Sequence, residues 1–338
     1  MIEIVPDSIL QIQNRDLDYN FIISWKMTDW CNYHCKGCSE DIISMSEKGC
    51  KYMPNQELLE KYALKIAYFV KNELYNYCKQ NNKKIKIQFI GGEVTYFDLI
   101  KIIKIIGPQY ISLINIPTNL SQSIDYFVKL NHFCNICRID LRISASYHKE
   151  FGNQEDFIQK IKLLLDNQIK VRVNIFVNQD TFDLSFIQEC IKQNLYIHIT
   201  KERLNISEET LNLTQEQMQF LYDLQTKYQI DKGQQNGICI MQENKYLFND
   251  VTLINNFINN GGLNPYNWIC TAGNTSIRIE PNGDVCRAGC YYLRNNLILG
   301  NLNEDNYQIS LPKENVICKL DKDKKCKLCW NINLKKGE

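Results

Sequence analysis

The chain has 338 residues, 44% hydrophobic and 23% charged, a globular composition that excludes wholesale disorder. Lys plus Arg is 39 and Asp plus Glu is 38, so no bulk basic field marks a nucleic-acid binder. Cysteine is the unusual number, at 15. Disulfides, metal or cluster ligands, and buried thiols are the three ways to account for it. The start, Met1 to Asp7, has no basic region followed by an apolar core, so no signal peptide is expected. The odd total argues against a fully paired disulfide framework. Apolar stretches such as Leu99 to Ile106 are short and broken by Lys101 and Lys104, so no transmembrane helix is expected. The expectation is a cytoplasmic protein in a reducing environment, where clustered cysteines bind metal.

In chain order, strands are predicted at Phe21–Thr28, Ile85–Ile90, Ile111–Thr118, Ile139–Ser146, Val171–Val177 and Leu195–Thr200. Helices are predicted between them. The longest runs from Gln56 to Cys78, with Leu59, Tyr62, Ala63, Ile66, Val70 and Leu74 at helical spacing behind Pro54-Asn55. Tyr96–Ile106, Ser123–Leu130, Gln154–Leu165 and Asp183–Gln193 follow. Six strands, each followed by a helix or loop, predict a parallel β/α barrel or partial barrel. An open doubly wound sheet has the same local pattern, and periodicity does not choose between them.

After Thr200 the rhythm changes. Gln215–Tyr228 is predicted as a helix, with Thr214 as cap and Gln217 completing a capping box. Residues 229–264 are polar and Asn-rich, and 206–264 are read as a bridge. Short strands and turns follow: Thr275–Glu280, the turn Pro281-Asn282-Gly283-Asp284, and Val285–Arg287. This end carries Cys270, Cys286, Cys290, Cys318, Cys326 and Cys329. The lysines between Lys319 and Lys327 are read as a solvated loop.

The strongest chemical signal follows the first strand: Cys31-Asn32-Tyr33-His34-Cys35-Lys36-Gly37-Cys38. Three thiolates at CxxxCxxC spacing can wrap one face of a compact cluster. Structural zinc takes four protein ligands, and a fourth is missing locally. Three cysteines leave one iron of a 4Fe–4S cluster open, which suits binding a reactant. Gln88-Phe89-Ile90-Gly91-Gly92-Glu93 ends the second strand. Its glycines allow close backbone approach, and its carboxylate can accept bonds from an ammonium group. Thr118-Asn119 ends the third strand, and Ser144-Ala145-Ser146-Tyr147-His148 ends the fourth. Alternation puts Ser144 and Ser146 on one face. In β/α barrels ligand groups gather at strand C-termini, and all four features fall there.

This set resembles the radical S-adenosylmethionine superfamily, whose three-cysteine loop, GGE motif, Thr-Asn pair and strand-end serine it matches. The resemblance implies an α/β fold, a partial (β/α)6 TIM-type barrel over 1–205. A 4Fe–4S cluster on Cys31, Cys35 and Cys38 would bind S-adenosyl-L-methionine, with Tyr33, Gly37, Gly91, Gly92, Glu93, Asn119, Ser144 and Ser146 around the cofactor. The residue before the third cysteine is usually aromatic in that family. Here Gly37 leaves the adenine contact to backbone or to another side chain such as Tyr33. The C-terminal segment, 265–338, is similar to the small cysteine-rich SPASM/twitch extension. That likeness implies one auxiliary 4Fe–4S cluster on Cys270, Cys286, Cys326 and Cys329, with Cys290 and Cys318 as competitors. A zinc site on Cys318, Cys326 and Cys329 is the plainer alternative.

The implied activity is reductive cleavage of S-adenosylmethionine to a 5′-deoxyadenosyl radical that takes a hydrogen atom from substrate. A peptide or protein substrate is the first reading and a small-molecule dehydrogenase or cyclase the second. The segment before Phe21 is too short to be the peptide-recognition domain that some maturases carry. A non-enzymatic zinc or iron–sulfur protein is the alternative of another class. An electron donor such as flavodoxin or ferredoxin is the implied partner. Cys50, Cys78, Cys134, Cys137, Cys190 and Cys239 are read as plain thiols, with Cys239 also weighed as a hydrogen-atom donor. His148 is a candidate substrate contact.

Overall fold

The computed structural model describes residues 9–14, 19–33, 35, 54–177, 183–201, 216, 238–242, 245–247, 266–287, 298–312, 314–319 and 334–336. The helix expected over 215–228 lies outside them except for Glu216. The chain divides into two compact units. One comprises Trp25–Ala63 and Ile87–Gly233, the other Met1–Ser24, Leu64–Lys86 and Gln234–Glu338.

The first unit is an α/β layer built by repetition. Its strands are the second half of β2 (Asn20–Thr28), most of β3 (Lys84–Gly91), β4 (Leu113–Thr118), β5 (Asp140–Tyr147), β6 (Lys170–Val177) and β7 (Ile197–Lys201). They neighbour one another in that order. The pairs β4–β5, β5–β6 and β6–β7 are parallel, in registers that set Ser144 opposite Arg172 and Ser146 opposite Asn174. Helices complete the units. α1 (Gln56–Phe69) starts in this unit and from Leu64 onward belongs to the other, as do the π turn Val70–Leu74 and α2 (Tyr75–Gln80) into which it continues. α3 (Leu99–Ile106), α4 (Ile124–Ile136), α5 (Gln154–Asp166) and α6 (Leu184–Lys192) follow β3, β4, β5 and β6. All nine residues of β2 are buried, as expected of a strand covered on both faces. Trp25 and Phe89 are wholly buried and meet at 6.0 Å between ring centroids.

The helix starts follow from the sequence. Asn55, Asp98, Asn153 and Asp183 each accept a backbone N–H three residues on, at 2.8–3.0 Å. Four helix ends use a left-handed residue other than glycine: Asn82, Arg138, Gln168 and Asn194 have φ of 52–60°, while α3 ends at Gly107 with φ of 101°. In each of the four the next residue donates back to a carbonyl five residues earlier, as in Lys83 to Cys78 and Ile139 to Cys134, both 2.8 Å. Ile139, Ile169 and Leu195 then turn inward and are buried at the strand starts. This is why α4 runs to Ile136, beyond the expected stop at Leu130. No glycine or proline marks that end, and Arg138 takes the turn instead. At the other end of β3, a 3-10 turn (Val94–Tyr96) precedes α3, so α3 begins at Leu99 rather than Tyr96.

The second unit is mainly antiparallel. β14 (Val316–Ile317), β10 (Ile269–Cys270), β15 (Leu334–Lys335), β1 (Ile9–Asn14), β8 (Ile238–Gln242) and β9 (Lys245–Leu247) form one sheet in that order. β1 pairs with both β8 and β15, so residues from both ends of the sequence and from the 206–264 bridge share a sheet. A hairpin, β11 (Ser276–Ile279) and β12 (Asp284–Cys286), turns at Pro281–Gly283, where Gly283 has φ of 86°. β13 (Ile298–Asn301) pairs with β12. Ile277, Ile279 and Val285 are fully buried. Among the described residues no helix is long and apolar enough to cross a membrane.

Phe89→Ala removes a wholly buried ring from against Trp25 and should lower the unfolding free energy by about 3–5 kcal/mol. Urea unfolding followed by tryptophan fluorescence measures it, and a change below about 1 kcal/mol would place Phe89 outside the core.

Candidate functional site

The site is assembled at the C-terminal ends of β2, β3, β4 and β5. Cys31 and Cys35 follow β2 and are both half-buried. Gly37 and Cys38 lie outside the described residues, as do Cys290, Cys326 and Cys329. The backbone path from Cys31 is fixed by β3. Gly92 N donates to Thr28 O and Glu93 N to Trp30 O, both at 2.9 Å. A Cβ at Gly91 would sit 2.1 Å from Thr28 O, and one at Gly92 1.8 Å from Trp30 O. Gly91 also has φ of +135°. The glycine pair therefore serves the approach of the cysteine-bearing segment to β3, a backbone-to-backbone need.

Glu93 is 1% exposed and turns its carboxylate toward the strand ends. Oε1 accepts from Thr95 Oγ1 at 2.6 Å, Thr118 Oγ1 at 2.8 Å and Thr95 N at 3.3 Å. Oε2 accepts from Asn119 N at 2.7 Å. Burial pushes the carboxyl above its ordinary range, and the donors from Asn119, Thr95 and Thr118 pull it back. One side chain thus caps the 3-10 turn after β3 and holds the end of β4.

Asn119 carries the connection onward. Its Nδ2 donates to Asn32 Oδ1 at 2.8 Å and approaches Cys31 Sγ at 3.8 Å. Tyr33 N donates to the same sulfur at 3.4 Å. Burial pushes the Cys31 thiol up. Cys35 Sγ lies 3.1 Å from His148 Nδ1, just past the end of β5. Burial holds the His148 imidazole down at about 4, so the ring is neutral at ordinary pH. Tyr33 stacks on Phe151 at 4.9 Å and meets His148 edge-on at 5.8 Å. Trp30 meets Tyr96 edge-on at 4.7 Å.

Ser144 and Ser146 are both buried but have different surroundings. Ser146 lines a small cleft with Tyr33, Asn119, His148, Asn153 and Lys160. Ser144 Oγ donates to Asn115 Oδ1 at 3.3 Å and accepts from Arg172 Nη2 at 3.1 Å. Asn32, Asn115 and Arg172 were not singled out from the sequence. The alternation of Arg172 and Asn174 against Val171, Val173 and Ile175 was the available signal.

In the other unit, Cys270 on β10 and Cys286 on β12 are buried, and Cys318 is half-buried after β14. Cys318 N donates to Trp268 O and Asn267 N to Cys318 O, both at 2.8 Å. Cys318 therefore stands opposite Trp268, and strand alternation puts it on the same sheet face as Cys270. Cys78, Cys134 and Cys190 are buried thiols pushed up to about 12 by burial, which suits an inert role.

Among the described residues no group of three His, Cys, Asp or Glu is arranged to hold a metal ion. Two of the three loop cysteines are within them, and their surroundings fit a thiolate-bound cluster. Nitrogen groups face both sulfurs, and metal ligation would remove the Cys31 thiol proton that burial otherwise retains.

No family model matches the chain, and no curated protein matches it. Among solved structures, native anSMEcpe with bound AdoMet and the Kp18Cys peptide superposes with a TM-score of 0.53 at 14% identity. The alignment covers 84% of this chain and 78% of that one. Native anSMEcpe with AdoMet and the Cp18Cys peptide gives 0.51 at 14% identity, over 84% of this chain and 77% of that one. The chain shares their fold.

Glu93→Gln tests the carboxylate's structural role. An amide must turn its NH2 toward either Asn119 N–H or Thr95 N–H, leaving one buried backbone donor without an acceptor. The expected loss is about 1–3 kcal/mol by urea denaturation. A loss of a few tenths would show that the four bonds do not act together.

Proposed function

We propose that the chain is a radical S-adenosylmethionine enzyme that modifies a peptide or protein. The observation that carries this reading is the convergence of Cys31 and Cys35 with Glu93, Asn119 and His148 at the C-terminal ends of adjacent strands. The shared fold with anSMEcpe supports it, since that protein is described with bound AdoMet and peptide.

Cys31, Cys35 and Cys38 would hold a 4Fe–4S cluster within the partial barrel. When bound, the cluster supplies the electron that cleaves S-adenosylmethionine into methionine and a 5′-deoxyadenosyl radical, which takes a hydrogen atom from substrate. The chain's own groups bind and orient. Glu93 holds Asn119 in place, and its carboxylate is assigned to the cosubstrate's ammonium. Tyr33, whose ring is braced by Phe151, stands in for the aromatic residue that Gly37 replaces. Ser146 and Asn119 offer polar contacts within the cleft.

Residues 265–338 are assigned to an auxiliary cluster. Cys270 and Cys318 share a sheet face, which favours Cys318 as a partner of Cys270 in the ligand set with Cys326 and Cys329. The electron donor is assigned to the flavodoxin or ferredoxin class. A small-molecule dehydrogenase or cyclase is the second reading, because the cleft among the described residues is small.

Anaerobic reconstitution should give roughly eight irons and eight sulfides per chain, falling to about four when Cys31, Cys35 and Cys38 are all changed to Ala. Stoichiometric zinc in place of iron would overturn the reading. Substrate class is read by incubating the reconstituted enzyme with candidate peptides and following their mass.

A further inference from the structure

His148 and Cys35 are 113 residues apart in sequence, yet His148 Nδ1 lies 3.1 Å from Cys35 Sγ. The ring is held from several directions. Phe151 N and Gly152 N donate to His148 O at 3.0 and 2.9 Å, closing a tight turn after β5. Tyr33 meets the imidazole edge-on, and Phe151 stacks on Tyr33. The turn at 148–152 therefore places both the imidazole and the aromatic ring that braces it. A thiolate bound to iron can only accept a hydrogen bond, so the nitrogen facing it must carry the proton.

We propose that His148 is a positioning residue whose Nδ1–H donates to the Cys35 sulfur and raises the reduction potential of a cluster held by Cys31, Cys35 and Cys38. This rests on the proposed function. The physical reason is differential. An electron from an external donor of the flavodoxin or ferredoxin class takes the cluster from its 2+ to its 1+ state. Negative charge on the thiolate sulfurs rises, and an N–H dipole aimed at one of them stabilises the reduced form more than the oxidised form. No bond breaks and no proton moves. His148 instead makes the electron easier to place beside Cys35. Its effect is on the ease of reduction.

The test is a redox titration with dithionite, monitored by electron paramagnetic resonance, on reconstituted wild type, His148→Ala and His148→Asn. Asn keeps an N–H near the Nδ1 position. At a fixed solution potential, His148→Ala should show about a tenfold lower reduced-to-oxidised ratio, about 59 mV for a one-electron couple. His148→Asn should recover most of it. Equal potentials in all three iron-loaded proteins would overturn the proposal. A second measurement needs no variant. Electron–nuclear double resonance of the reduced wild type, labelled with 15N-histidine, should show a weak nitrogen coupling and a proton coupling that vanishes in D2O. Their absence from iron-loaded protein overturns the role of His148 alone. A wild type that binds no iron overturns the proposed function with it.

Discussion

A carboxylate at 1% exposure is costly to bury unless donors surround it, and Glu93 has four. Their positions explain the rest of the site. Thr95 lies on the turn after β3, while Thr118 and Asn119 end β4. Satisfying one carboxylate therefore fixes two strand ends together. The backbone N–H of Glu93 is bonded to Trp30 O, which draws in the segment leading from β2 to Cys31. Asn119, held through its N–H, turns its side chain back to Asn32 and Cys31. The cysteine-bearing loop is thus positioned by a closed circuit of bonds. Removing Glu93 leaves the buried Asn119 N–H without its partner.

The glycines on either side of that circuit have a mechanical role. At Gly91 and Gly92 the β3 backbone comes so close to Thr28 and Trp30 that any side chain would overlap a carbonyl oxygen. Two glycines followed by glutamate is one functional unit. The glycines let strand β3 meet the loop, and the carboxylate locks the meeting to β4. This gives the motif a physical content independent of any bound ligand. It also explains why Ser144 and Ser146, on one face of β5, differ. Ser146 is near the strand end, where the circuit opens into the cleft. Ser144 lies one step deeper and is joined to Asn115 and Arg172.

Much of the α/β unit was legible because its signals are local. The six strands appear near their expected positions, and Asn55, Asp98, Asn153 and Asp183 mark helix starts by capping. The helix ends were harder to read, because Arg138 and Gln168 take the left-handed turn usually marked by glycine. β1 was invisible for another reason: its partners β8 and β15 are far away in sequence, and no local pattern encodes that pairing. At the site, the cysteines, Glu93 and Asn119 stood out by motif. His148's contact with Cys35 depends on loop geometry that spacing does not contain. Arg172 was hidden inside a strand of ordinary β-formers.

If this circuit serves a radical cosubstrate, the product of its cleavage is the direct reporter. Iron-loaded wild type, given S-adenosylmethionine and dithionite without oxygen, should release 5′-deoxyadenosine and methionine in equal amounts, while Cys35→Ala should release neither. Iron-loaded wild type that forms no 5′-deoxyadenosine, or equal release from both proteins, would contradict the account.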